Sequence, residues 1–173
     1  MSTRHREEYA ITGRAAPPTR ARVLPLVSTL VRLVLGAVFL VAGGLKIGNP
    51  QEAVQAVRAY QLLPGALEPV VGWGLPFLEI ALGLLLVVGL FTRAAAAAAA
   101  LLLVVFIAGV ASAAARGLSI DCGCFGGGGA VAAGETRYAA EIVRDLALLA
   151  AAGWLVWKPS SRFSLDPAER EDE

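Results

Sequence analysis

Both cysteines of the chain fall in one short stretch, residues 119–126, SIDCGCFG, with a single glycine between them. Two thiols at that spacing support three chemistries. As a redox pair they close a very small ring on oxidation. Its Cα separation and torsion are hard to satisfy together, and strain makes a disulfide easier to reduce. Strained, exposed disulfides are the labile and catalytic ones. As thiolates the pair could hold a soft ion such as Cu(I), but there is no second pair, and the sole histidine, His5, is expected on the opposite side of the membrane. As a structural disulfide the pair would close a loop too short to constrain the unfolded chain much. The redox pair is the leading reading, with Cys122 and Cys124 as candidate catalytic residues. Arg116 and the neighbouring thiol would lower one thiol pKa, and Asp121 would oppose this.

A second group with chemical potential lies inside apolar sequence. Arg32, Glu79 and Asp145 each interrupt a long hydrophobic run. Charges at the centre of a bilayer cost about 2.5–3.5 kcal/mol or more, so they pair or serve a function. One reading is a structural ion pair fixing helix register. The other is a polar pocket that binds a headgroup, relays protons or, as an electron sink for the cysteines, holds a lipid-soluble quinone.

These residues need elements to position them. The chain is 57% hydrophobic and 17% charged, with net charge +1, against about 45–50% and about 25% in soluble domains. No basic patch is interleaved with aromatics, so nucleic-acid binding has no support. Four segments are long and apolar enough to cross a hydrocarbon core of about 30 Å: residues 23–46, 67–91, 94–115 and 138–157. The third is alanine-rich, and the fourth carries three charges near its start. In lipid a helix satisfies its own backbone, so the expected fold is an all-α, polytopic membrane four-helix bundle over residues 23–158. The first segment is too long for the apolar core of a signal peptide and continues into a charged stretch, so it reads as a retained helix.

Helical spacing aligns Arg32, Gly36, Phe39, Gly43 and Lys46 on one face of the first segment. Gly72, Pro76, Glu79 and Gly83 share a face of the second, and Glu141, Asp145, Leu148 and Ala152 a face of the fourth. Glycine at such spacing lets helices approach closely in lipid, so the charges should point into the bundle. A rise of about 1.5 Å per residue puts Arg32 about 14 Å, and Glu79 and Asp145 about 18 Å, from the inner ends. Arg32 is therefore expected to pair with Glu79, Asp145 or both. Pro76 should kink the second helix near Glu79.

Basic residues set orientation. Arg4, Arg6, Arg14, Arg20, Arg22, Arg93, Lys158 and Arg162 fall on one side, and Lys46, Arg58, Arg116 and Arg137 on the other. The bias places both termini in the cytoplasm and the cysteines outside, where disulfides persist. Residues 1–22 and 159–173 read as disordered cytoplasmic tails. The outer loops are 47–66 and 116–137. In the first, a helix starts at Asn49-Pro50 and stops near Pro64, with apolar Ala53, Val54, Val57 and Leu62 suiting a helix laid on the outer surface. In the second, GCFGGGGAVAAGE reads as a flexible loop that cannot bury a cysteine in a soluble core, and the thiols are expected close to the outer membrane surface.

The succession RLVLGAVFLVAGGLKIGNPQEAVQAVRAYQLLP, GWGLPFLEIALGLLLVVGLF and DCGCFG resembles the methylamine-utilisation protein MauE family, itself similar to DoxX-like membrane proteins, and the resemblance covers residues 28–157. The resemblance implies a four-helix protein of the bacterial inner membrane. It implies a role in maturing an extracytoplasmic partner, the disulfide-rich small subunit of methylamine dehydrogenase in the name-giving case. It also implies that Cys122 and Cys124 match the family's cysteine pair, and that Arg32, Lys46 and Glu79 match its polar positions. The leading expectation is thiol–disulfide exchange with an extracytoplasmic redox or disulfide-containing protein. The alternatives are a non-catalytic membrane subunit or scaffold of a redox complex, and a small transporter built on the central charges.

Overall fold

The structure is a computed structural model that describes residues 19–132, 134–159 and 165. The tails expected to be disordered lie, apart from residues 19–22, 159 and 165, outside the described residues. Five helices and a two-stranded hairpin follow in order: α1 (Thr19–Gly48), α2 (Pro50–Ala59), α3 (Glu68–Val88), α4 (Thr92–Ala115), β1 (Ile120–Asp121), β2 (Gly129–Ala130) and α5 (Tyr138–Trp157). Helix α1 starts at Thr19, ahead of the apolar run. Helix α3 stops at Val88, because Gly89 takes a left-handed φ of 74° and its amide turns back to the Leu85 carbonyl, as a helix-ending glycine does.

Val23–Gly48, Glu68–Val88 and Thr92–Ala115 are each long and apolar enough to cross a membrane. Helix α5 matches them in length, with 20 residues, and turns Glu141, Asp145, Ala152 and Leu155 inward. Together α1, α3, α4 and α5 form the bundle, with α1 packed on α3 and α4 on α5. Burial runs opposite to that of a soluble protein. Arg32, Lys46, Glu79, Glu141 and Asp145 are buried, while Leu30, Val70, Leu101 and Val143 are all more than 60% exposed. An apolar exterior around a charged interior is stable where the surroundings are lipid. The chain is a multi-pass membrane protein.

Glycines set the α1–α3 register. A methyl placed on Gly36 would come within 3.0 Å of the Gly83 carbonyl oxygen, and one on Gly43 within 2.7 Å of the Pro76 oxygen and 3.2 Å of the Glu79 Cβ. The helices therefore run antiparallel, with residue 36 opposite 83 and residue 43 opposite 76–79. Below this dry seam, Leu35, Phe39, Leu82, Leu86, Leu103 and Leu155 make the main core.

The end of the bundle where α1 finishes and α3 begins carries the remaining elements. Helix α2 buries Ala53, Val54 and Ala56, and a methyl on Gly72 of α3 would stand 2.8 Å from the Val54 Cα. Helix α4 closes on Gly117, with Gly117 N–H bonded to Ala114 and Leu118 N–H to Ala113, a double hydrogen bond that satisfies the last carbonyls. The chain then enters the hairpin, pairing Ile120 with Ala130 and Asp121 with Gly129.

Candidate functional site

The hairpin holds residues 122–128 in its bend and turns them into the bundle. Gly123 and Gly128 have φ of +67° and +103°, and a methyl on either would fall 2.6 or 2.5 Å from the Ala56 Cβ. Both positions need glycine twice over, for the left-handed backbone and for the closeness of α2. Tyr138 of α5 anchors the hairpin from below, accepting from Ile120 N–H at 3.1 Å and donating to the Leu118 carbonyl. Tyr60 donates to the Cys122 carbonyl at 3.3 Å.

This packing corrects the expectation of surface thiols. Cys122 and Cys124 are free thiols only 8% and 9% exposed. The glycine run serves close packing under α2, and Val110, Tyr60, Tyr138 and Ile142 complete the thiols' surroundings.

The two sulfurs are unequal. Cys122 Sγ accepts from the Cys124 amide at 3.3 Å and from Arg144 Nη2 at 3.9 Å. The hydrogen bond from the Cys124 thiol, helped by the Cys124 amide and Arg144, holds Cys122 below the ordinary thiol range despite its burial. The same thiol–thiol bond, followed by burial and the charge on Cys122, pushes Cys124 far up. Of the two sulfurs, Cys122 is the one biased toward the thiolate and Cys124 the one biased toward the thiol. Burial and the two cysteines also push Tyr60 far up, so it stays a hydroxyl donor.

Arg144 contributes to this arrangement, and the sequence reading did not single it out. It also bridges Asp145 at 2.9 Å and lies 4.8 Å over the Phe125 ring. Arg116, expected near the thiols, instead donates to the backbone carbonyls of Tyr60 and Gln61. The trio Arg32, Glu79 and Asp145 is divided. Glu79 is bonded to Lys46 at 2.5 Å and Asp145 to Arg144, so neither carries the expected pairing with Arg32. The α1–α3 register explains this. Arg32 lies eleven residues before Gly43, about 16 Å along the axis from the level of Glu79, near the end of α3.

Glu79 and Asp145 instead meet the cysteines. Both line a small cavity of about 20 Å³ with Cys124, Arg144 and Phe106, room for about one water. Glu79 Oε2 and Asp145 Oδ2 are buried and make no hydrogen bond among the described residues. A larger cavity of about 230 Å³ is also lined by Cys124, together with Cys122, Lys46, Tyr60, Leu75 and Phe106. Cys124 thus forms part of the wall of both spaces. Asp121, Cys122 and Glu141 bring ligand atoms within 4.8 Å of one another, but two carboxylates beside one thiolate are a poor donor set for Cu(I).

Fold and site together define a multi-pass membrane protein with a buried, asymmetric dithiol at one end of its helices. The profile of the methylamine utilisation protein MauE family matches residues 24–158, and the chain belongs to that family. It is 38% identical over 107 residues to methylamine utilization protein MauE of Paracoccus denitrificans, a match covering 61% of this chain and 58% of that protein. The chain thus matches a little over half the length of that relative. No solved structure matches it.

Proposed function

We propose that the chain carries out thiol–disulfide exchange with a protein on the outer side of a bacterial cell membrane, Cys122 attacking and Cys124 resolving. The observation that carries this reading is the pair of hydrogen bonds converging on Cys122 Sγ, from the Cys124 amide and from Arg144. They favour one thiolate beside one thiol, the state from which exchange starts. The Cys122 thiolate attacks a partner disulfide, forming a mixed disulfide and expelling one partner thiolate. Cys124 then gives up its proton and attacks the Cys122 sulfur, which closes the Cys122–Cys124 bond and releases the second partner thiolate. Run in reverse, the same steps oxidise a partner dithiol. The family name supports a partner in methylamine utilisation, and the chemistry asks for one that carries disulfides.

Trapping tests the assignment. In Cys124→Ser the mixed disulfide cannot be resolved, so a covalent adduct should accumulate on non-reducing gels and vanish with dithiothreitol. Cys122→Ser should trap nothing. If both serine variants support maturation of the partner as the parent does, the protein is a scaffold and the dithiol is structural, a reading that the burial of both sulfurs favours.

A further inference from the structure

We infer that the larger cavity receives the ring of an isoprenoid quinone from the bilayer, which accepts two electrons from the Cys122–Cys124 pair. This rests on the exchange reading and gives it a direction: the protein is re-oxidised from the membrane and oxidises its partner.

Size, walls and mouth agree on the occupant. An engineered cavity of about 150 Å³ lined by apolar side chains holds benzene, so about 230 Å³ takes a substituted ring and the start of its tail. Leu75, Leu102 and Phe106 make apolar walls. Polar groups collect at the buried end, where Lys46 is 6% exposed beside the two cysteines. The lining residues Leu62 and Val105 are 53% and 57% exposed, so the space opens on an apolar rim. A phospholipid acyl chain would satisfy the walls but has no electron acceptor to set against the thiols. A headgroup would have to pass a rim without polar partners. A quinone has carbonyl acceptors on its ring and an apolar tail, in the order the cavity presents their complements.

The step balances. Cys122 thiolate and Cys124 thiol form an S–S bond and release two electrons and one proton. The quinone takes both electrons and two protons, one from Cys124 and one from the Lys46 ammonium, and leaves as hydroquinone. Lys46 regains its proton from water.

The test uses the full-length protein, reduced, in lipid nanodiscs, with decyl-benzoquinone as the probe and glutathione disulfide as a second oxidant. The expected result is one hydroquinone per protein disulfide, at a rate that saturates with quinone. A side chain at Gly109 would pass 3.5 Å from the Tyr60 ring and project into the cavity. Gly109→Leu should therefore lower the ratio of quinone-driven to glutathione-driven oxidation about tenfold or more. A ratio that Gly109→Leu leaves unchanged, with no saturation, overturns the site. Oxidation by glutathione disulfide alone overturns the quinone and leaves the exchange reading standing. Failure of both oxidants to form the disulfide removes the exchange reading itself. Should Gly109→Leu not fold, a photoreactive quinone on the parent protein decides: labelling of residues 102–109 supports the site, and labelling confined to other segments overturns it.

Discussion

Cys122 and Cys124 differ by their neighbours rather than by their place in the chain. An amide, a thiol and a guanidinium converge on the first, and the second donates to it. A depressed pKa means that the reactive thiolate persists as pH falls below the usual thiol range, around 8.5. The sign is open to test in a Cys124→Ser background, where a single thiol remains and serine keeps a donor in place. Its alkylation by iodoacetamide should have a pH midpoint below that range. Arg144→Gln removes a hydrogen bond to a charged acceptor, which should move the midpoint up by about one unit, with Arg144→Lys in between. A midpoint that ignores Arg144 would mean that the 3.9 Å contact has no electrostatic effect. The sequence hid this residue because a helical stripe selects Glu141, Asp145 and Leu148 and leaves Arg144 on a flank. Its long side chain still reaches inward while staying 32% exposed, as amphipathic side chains do.

At the scale of elements, α2 is the lid of the site, seated on Gly72 below and on Gly123 and Gly128 beside it. In Gly72→Ala the new methyl would meet the Val54 backbone at 2.8 Å, and backbone yields only by moving the whole helix. The expected cost is about 1–3 kcal/mol, seen as a lower melting temperature in detergent together with faster maleimide labelling of the cysteines as α2 lifts. Gly74→Ala, two residues along the same helix, meets nothing within 4 Å and should leave both readouts at the parent level. Equal behaviour of the two variants would show that α2 is not held there. The bundle itself was legible in sequence, because four long apolar runs and three stripes at helical spacing carry a strong periodic signal; Gly36, Gly43, Gly72, Glu79 and Gly83 are all buried on those stripes. The hairpin was not legible. Strands of two residues around a glycine run have no periodicity to read, and the reason for those glycines, the closeness of Ala56, lies more than sixty residues away in the chain. The separation of Arg32 from Glu79 was equally hidden, since depths counted from assumed helix ends miss the register that Gly36 and Gly43 impose.

For the molecule as a whole, the two ends differ in composition. At one end, the beginning of α1 meets the end of α5, where Ser28 donates to the Lys158 carbonyl at 3.1 Å and accepts from Trp154 at 3.2 Å. Arg93 and Lys158 stand exposed there, near Phe91 and Trp157. Aromatic rings mark either membrane interface, and an excess of basic residues marks the cytoplasmic one, so this is the end expected to face the cytoplasm. At the other end, Lys46 drops out of the loop tally altogether, because it lies within α1 and is buried against Glu79. That leaves Arg58, Arg116 and Arg137 for the dithiol side, which strengthens the bias. Two single cysteines in a Cys122→Ser/Cys124→Ser background test the orientation. Gly65 is exposed with nothing within 4 Å, in the connection between α2 and α3. Arg93 is exposed at the opposite end, on the first turn of α4. With a membrane-impermeant maleimide, Gly65→Cys should label in intact cells and Arg93→Cys only after lysis. The reverse pattern would put the dithiol in the reducing cytosol, where a partner disulfide would rarely persist, and exchange with an extracytoplasmic protein would be ruled out by geometry alone.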